Sequence, residues 1–293
     1  MKAHIRKLAL AIMASVAAVF SASAATQLTL NDGDTLQGVY EDYEITIAAG
    51  ATVTFNNATV THTSGSAPAV KCLGDATIIL ADGTVNSVDN STINYYAGIY
   101  PENNTTLTIA GTGALSVLGG KQGAGIGASA HSYGTAGNIV ITGGTVTATG
   151  GEWAAGIGSA YYGTCGNITI SGGTVTANVK TATSDGETAT AAIGAGCRGT
   201  CGDILISGGV IVADAANPNA GKLDNSSAIG ATYTNGKCGN ITITDGITSL
   251  TATKGKDAQQ HIGQGDGKAT VGKISSLLRF NTEYSNYDNT LTL

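Results

Sequence analysis

Planar side chains recur on one repeated loop, and they are the residues best suited to binding chemistry in this sequence. Counting three residues back from the small residue that follows each loop gives Tyr133, Tyr162 and Arg198. Other aromatic residues lie on the same or adjoining loops or extend the series upstream: Trp153, Tyr161 and Tyr233, then Tyr95, Tyr96 and Tyr100. Flat side chains along one edge suit the apolar faces of sugar rings. The pattern predicts a carbohydrate-binding edge, with the alternative that these tyrosines only cover loop backbone.

The cysteines lie at positions where no disulfide bond is required. Cys165, Cys201 and Cys238 occupy one repeat position, which holds Ala136 in the first clear copy and Val271 in the last. A position that accepts Ala, Cys or Val is a small buried core site, where a free cysteine behaves as a hydrophobic residue. The segment CRGTC lacks the usual spacing of a metal site and has no partner histidine pair. We expect free thiols and no metal site.

Residues for catalysis do not form a recognisable set. Acidic residues such as Glu152, Asp203 and Asp214 do not share a repeat position, and the histidines are isolated from one another. No Ser/His/Asp order, phosphate loop or paired-carboxylate motif stands out. The sequence therefore favours a non-catalytic protein without a cofactor, although it leaves enzymatic activity and a role for calcium open.

These candidate residues sit in a chain that repeats itself. From Lys121 to Ile274, five copies carry Ile-Gly, a glycine-rich loop, Gly-Asn-Ile or a close variant, and an alternating segment, at intervals of 29 to 37 residues. The clearest copy, AAGIGSAYYGTCGNITISGGTVTA, alternates apolar and polar residues with period two, which is typical of strands. Gly-Gly pairs separate two such strands, so we expect turns there.

One repeat cannot bury its apolar side alone, so neighbouring repeats must stack, with each strand beside its equivalent in the next copy. We therefore predict an all-β fold, a single-stranded parallel β-helix or solenoid of about seven to eight coils, right-handed because right-handed crossovers are the rule.

The position after the second conserved glycine holds Asn138, Asn167, Asp203, Asn240 and Lys273. Stacked amide side chains at this corner are expected to bond to backbone.

The N-terminus differs from the rest. Lys2, Arg6 and Lys7 precede an apolar run from Leu8 to Phe20 and then Ala22-Ser23-Ala24, a pattern typical of a secretory signal peptide. We expect residues 1–24 to be removed, residues 25–275 to form the repeat domain and residues 276–293 to form a C-terminal cap. The protein is expected to be secreted, whether extracellular, on the cell surface or in a periplasm, with no membrane span.

Composition restricts the partners. The formal charge is −6, and it becomes −9 without the first 24 residues, which carry three basic residues and no acidic one. A chain this acidic lacks the basic surface that nucleic acids require. We expect no nucleic-acid partner, and the oligomeric state is left undetermined.

A resemblance rests on particular segments. AVKCLGDATIILADGTVNSV, AGIYPENNTTLTIAG and CGNITISGGTVTA resemble segments of secreted bacterial carbohydrate-binding-domain β-helix proteins, whose fold is similar to that of pectate lyases. The resemblance covers roughly residues 40–275 and implies binding to polysaccharide or a cell-surface glycan. It also implies that, if the chain is an enzyme, it is a polysaccharide lyase. The alternative function is a structural or adhesive surface rod without saturable sugar binding.

Overall fold

A computed structural model describes residues 25–180, 189–216, 224–233, 235–276 and 290–292. The expected signal peptide, residues 1–24, lies outside the described residues, as does most of the expected cap. The described chain consists of β-strands and one short 3₁₀ helix, His131–Tyr133. No described helix has the length and apolar character needed to cross a bilayer.

The first strands come from the weaker repeats and the first clear copy. In chain order they are β1 Thr26–Leu30, β2 Thr35–Glu41, β3 Tyr43–Ile47, β4 Thr52–Thr61, β5 Val70–Cys72, β6 Ala76–Leu80, β7 Val85–Asp89, β8 Ile99–Pro101, β9 Thr106–Gly111, β10 Ala114–Leu118, β11 Ile126–Gly127, β12 Thr135–Ala136, β13 Asn138–Ile141 and β14 Thr145–Gly150.

The remaining strands come from the later copies. They are β15 Ile157–Gly158, β16 Thr164–Cys165, β17 Ile168–Val179, β18 Ile193–Gly194, β19 Thr200–Cys201, β20 Ile204–Asp214, β21 Ile229–Ala231, β22 Lys237–Cys238, β23 Ile241–Ile243, β24 Ile247–Thr253, β25 Ile262–Gln264, β26 Thr270–Val271, β27 Ile274–Ser276 and β28 Thr290–Thr292.

Strands from successive repeats pair in parallel at equivalent positions and form three sheets. A nine-stranded sheet has the order β1-β3-β5-β8-β11-β15-β18-β21-β25, and a five-stranded sheet has the order β12-β16-β19-β22-β26. The remaining fourteen strands form the third sheet. Within it, β28 pairs with β24, the one antiparallel pairing among the described strands. This contact places the far C-terminal segment of the described chain against the sheet.

The fourteen-stranded sheet corrects the predicted fold. Its pairing order closes on itself through eight parallel strands, β4-β6-β9-β13-β17-β14-β10-β7 and back to β4, so its connectivity is that of a closed parallel barrel. The other two sheets are separate. The prediction of a single-stranded, right-handed parallel β-helix solenoid of about seven to eight coils is therefore wrong; the chain is all-β with this closed ring and separate sheets.

The ring closes because of two long strands, β17 and β4, each of which pairs with two different neighbours. We expected every Gly-Gly pair to be a turn, but β17 continues through Gly172 and Gly173, although Gly173 has φ of 83°. One half of β17 pairs with β13 and the other half with β14. The strand β4 joins β6 and β7 in the same way. Because each of these strands bridges two neighbours, the ring closes.

One part of the core is a column of branched apolar side chains from the nine-stranded sheet. Paired residues run through the sheet as Ile45, Val70, Ile99, Ile126, Ile157, Ile193, Ile229 and Ile262. All eight are buried. Burying one such side chain stabilises the fold by about 1.5–3 kcal/mol. This explains why an isoleucine precedes the conserved glycine in each of the five clear copies.

The glycine after each isoleucine permits the repeats to approach closely. The residues stack as Gly127, Gly158, Gly194, Gly230 and Gly263, with φ between 124° and 139°. A Cβ atom on Gly158 would lie 1.9 Å from the carbonyl oxygen of Gly194. Both the backbone conformation and the space therefore require glycine.

Replacing one stacked glycine should be severe. We predict that Gly158→Ala lowers the free energy of unfolding by more than about 4 kcal/mol, because the new methyl group meets backbone that cannot move aside. Gly83→Ala is the control, since Gly83 also has positive φ (67°) but no atom within 4 Å of the added Cβ, and it should cost about 1–2 kcal/mol. Urea unfolding midpoints measure both, and equal shifts would contradict the close-approach argument.

The residues after the second conserved glycine form a ladder of hydrogen bonds from one repeat to the next, the Asn ladder. Each side-chain Oδ1 accepts a hydrogen bond from the backbone N–H of the equivalent residue in the next repeat. The bonds run from Asn167 N to Asn138 (2.9 Å), Asp203 N to Asn167 (2.8 Å), Asn240 N to Asp203 (2.7 Å) and Lys273 N to Asn240 (2.9 Å). The prediction that these side chains bond to backbone is confirmed.

The ladder predicts different unfolding free energies for two variants of one of its residues. Asn138→Ala removes the acceptor for the Asn167 N–H and should cost about 1 kcal/mol of unfolding free energy. Asn138→Asp keeps an acceptor oxygen beside uncharged neighbours, Thr106 and Asn167, and should be close to neutral. Thermal unfolding distinguishes the two, and an aspartate variant as unstable as the alanine variant would show that the acceptor is not what matters.

Candidate functional site

The candidate site is built on loops that follow the Ile-Gly strands. Tyr162, Arg198 and Tyr233 each lie in a short loop between a strand of the nine-stranded sheet and one of the five-stranded sheet. Their φ values are 55°, 57° and 62°, a region that bulky residues rarely adopt. Such strain persists only where the surrounding structure fixes it, and it clusters at functional sites. Tyr162 and Arg198 share one backbone position, the third residue of their turns. Tyr233 is the first residue of its turn, in which Asn235, with φ of 71°, is the third.

Arg198 lies between two tyrosine rings. Its guanidinium carbon is 5.4 Å from the centroid of the Tyr162 ring and 5.1 Å from that of the Tyr233 ring. The guanidinium also donates a hydrogen bond to the Tyr162 hydroxyl. Hydrogen bonding to Tyr233, and then to Tyr162, raises the pKa of Arg198. The result is a fixed positive charge held in place by cation–π contacts.

Two further rings continue this row. Trp153 lies 5.3 Å from Tyr161 between ring centroids, and Tyr161 lies 4.5 Å from Tyr162 at an interplanar angle of 70°. Burial, followed by the proximity of Tyr162, raises the pKa of Tyr161, so its hydroxyl keeps its proton. We call Trp153, Tyr161, Tyr162, Arg198 and Tyr233 the aromatic edge. It is one continuous set of contacts across three repeats.

The structure brings together five of the six residues predicted for binding. Tyr133 belongs to the 3₁₀ helix, and its side chain lies outside the described part of the structure. In that loop the residue with positive φ is Ser132 (54°), and His131 stacks on Tyr96 instead. Counting three residues back from the small residue therefore does not reach the residue with positive φ in this loop.

The count of three residues also fails to identify Tyr233. It lies five residues before Cys238, not three, because its loop is longer. Its contact with Arg198 nevertheless places it in the row. The contacts extend the expected Tyr162–Arg198 pair to Tyr233. Only a count from the preceding Ile-Gly pair, which gives intervals of four to five residues, would have pointed to Tyr233.

The site has little acid–base chemistry of its own. Among the described ion pairs, Arg198 takes part in none; those present are Glu44–His62, Lys71–Glu102 and Lys121–Glu152. No group of three or more His, Cys, Asp or Glu side chains within the described ranges could hold a metal ion. What the aromatic edge offers chemically is aromatic surface, hydroxyl groups and guanidinium N–H donors.

The cysteines form a buried column beside these loops. Cys165, Cys201 and Cys238 are paired neighbours, and each thiol donates to a glycine carbonyl of the preceding repeat at 3.7–3.8 Å. All five cysteines are buried, and the structure pairs none of them in a disulfide. Hydrogen bonding with Cys165 and then Cys238, together with burial, raises the pKa of Cys201 well above its ordinary value. Burial raises the pKa of Cys72 to about 12.

These thiols should resist modification. A maleimide reagent acts on the thiolate, so the folded chain is expected to take up no label, whereas all five cysteines should be labelled after unfolding in urea without reductant. Intact mass counts the labels. Labelling of the folded chain would contradict the burial, and only three labels after unfolding would reveal a disulfide. Cys201→Ala is the matched variant and should fold normally, because Ala136 fills the same position in another repeat.

Comparison of the chain with models of protein families, with curated proteins and with solved structures gives no match. The resemblance to secreted carbohydrate-binding-domain proteins therefore stays an expectation from the sequence. The functional argument rests on the geometry of the aromatic edge.

Proposed function

We propose that this protein is secreted and binds polysaccharide or a cell-surface glycan, without catalysis, through the aromatic edge. One observation carries the proposal: aromatic and guanidinium groups from successive repeats form a single row of contacts on one edge. Successive parallel strands are about 4.8 Å apart, so the row presents its groups at short, regular steps. A linear polymer of sugar rings is a ligand that such a row can contact repeatedly.

The chemistry of the row suits sugars. Tyrosine and tryptophan rings provide apolar surface for the C–H faces of a sugar ring, while their polar atoms can bond to hydroxyls. A guanidinium has five N–H donors, and only some of those of Arg198 are needed for its two tyrosine partners. Because Arg198 covers one face of each neighbouring ring, a bound sugar would lie across the outer rim of the row.

Rigidity supports the same proposal. The loops are short, their ends are tied to paired strands, and backbone bonds such as Gly199 N to Gly196 O (2.9 Å) close the turns. A binding surface that is already ordered loses little conformational entropy when a ligand binds. The edge would therefore act as a preformed platform, and binding would require no rearrangement of the strands.

Removing two rings of the row tests the proposal. We expect the double variant Tyr162→Ala, Tyr233→Ala to lose retention on the glycan class that the unchanged chain binds on an array, with and without calcium. Leu205→Ala is the control, because Leu205 on β20 is 37% exposed and Tyr162 is 36% exposed, and it should bind normally. Far-ultraviolet circular dichroism should be the same for all three.

The outcomes separate the candidate functions. Saturable binding that the double variant loses supports the aromatic edge. Binding that survives the double variant overturns the edge as the site. A blank array for the unchanged chain overturns glycan binding and leaves the structural or adhesive rod, whereas cleavage of a bound polysaccharide would identify a lyase.

A further inference from the structure

A cleft lies beside the first strands of the nine-stranded sheet, outside the aromatic edge. Its cavity volume is about 500 Å³, within the range of about 300–1,000 Å³ typical of small-molecule sites. Residues of β1, β3, β5 and β8 line it, including Glu44, Thr46, Lys71 and Tyr100. The five-stranded sheet begins only at β12, so the early repeats contribute no strand to it. The cleft occupies the side where these repeats lack that sheet.

Two stacked rings contribute to the cleft. Tyr96 and His131 are 5.3 Å apart between centroids, with an interplanar angle of 20°, and both line the cavity. They come from consecutive loops, which are joined by the hydrogen bond from Ala130 N to Tyr95 O (2.7 Å). The Tyr100 hydroxyl donates to the Thr135 carbonyl at 2.7 Å and ties the sheet face to β12. The cleft therefore has an aromatic platform held from two sides.

The cleft has no unpaired positive charge from lysine. Lys71 pairs with Glu102 at 2.7 Å, so its charge is already compensated. Glu44 accepts a hydrogen bond from the Gln27 side chain, and the buried His62 ring lies 3.8 Å from its carboxylate. Burial, and then the charge of Glu44, raises the pKa of Tyr96, so the phenol stays a donor. This arrangement disfavours an anion such as phosphate and suits an uncharged ring with several hydroxyls.

The cleft and the aromatic edge lie one repeat apart. Gly134 lines the cleft, and its carbonyl accepts a hydrogen bond from Thr164 N at 3.0 Å. Tyr162 lies two residues before Thr164, so the wall of the cleft is one repeat away from the first exposed ring of the row. A glycan that lies along the edge therefore needs to extend by only one repeat to reach the cleft.

We propose that this cleft is a second saccharide subsite, which takes one uncharged sugar ring of a glycan that continues along the aromatic edge. The uncovered outer face of the stacked Tyr96–His131 pair would contact the apolar face of the sugar, and Glu44 and Lys71 would bond its hydroxyls. The proposal rests on the proposed function for the neighbouring edge. Linked subsites raise affinity only when one ligand spans both.

The chain carries its own reporter for a test. Trp153 is the only tryptophan, and it lies in the aromatic edge. Its emission therefore reports occupation of the edge, whereas calorimetry reports binding anywhere. Chito-, cello-, xylo- and manno-oligosaccharides from disaccharide to hexasaccharide serve as probes, and the chain lacking residues 1–24 is titrated with each.

In the unchanged chain, affinity should rise at least about tenfold between the shortest and longest probes of the class that binds. Tyr96→Ala and Glu44→Gln should each remove this rise, while the longest probe still changes the Trp153 emission. Glu44→Gln changes one atom of a partly exposed side chain, so a fold defect cannot account for its effect. Leu205→Ala should behave as the unchanged chain does.

Each other outcome has one meaning. If both cleft variants keep the full length dependence, the subsite is overturned and the edge stands. If they lose calorimetric binding while the Tyr162→Ala, Tyr233→Ala variant keeps it, the cleft stands and the edge is overturned. If no probe or polymer binds the unchanged chain, both proposals fail together.

Discussion

The close approach of one repeat to the next at the stacked glycines is the constraint on which the rest of this structure depends. The Cβ of any other residue would meet the carbonyl of the neighbouring repeat, at 1.9 Å for Gly127 and Gly158 and at 2.2 Å for Gly194. In the later part of the nine-stranded sheet, this spacing lets β11, β15, β18, β21 and β25 pair directly. It also brings the isoleucine before each glycine onto the isoleucine of the next repeat, which builds the buried column.

The functional surface follows from the same spacing. The loops after the glycines start at a fixed backbone position, so their side chains meet across repeats even though the loops differ in length. Arg198 can touch both Tyr162 and Tyr233 only because the three loops leave the sheet one strand apart. The cleft arises from the converse situation, since the early repeats share the nine-stranded sheet but have no strand in the five-stranded sheet.

Periodic features could be predicted from the sequence because each depends on a neighbour at a fixed interval. The parallel pairing, the Asn ladder and the buried free cysteines all follow from equivalent positions in successive copies. The closed ring could not be predicted, because whether Gly172 and Gly173 end a strand or continue it depends on both neighbouring repeats. The cleft could not be predicted either, because Gln27, Glu44 and His131 are distant in sequence and share no motif.

The Asn ladder makes each repeat a donor to the one before it and an acceptor for the one after it, so every internal repeat has the same interface at its two ends. Duplication of a whole repeat therefore preserves all bonds at the new junctions, whereas loss of part of a strand breaks them. The loops take no part in this matching and are free to change length, as the intervals of 29 to 37 residues show. Such a chain can lengthen its surface by duplication and diversify it by loop variation, without redesign of its interior.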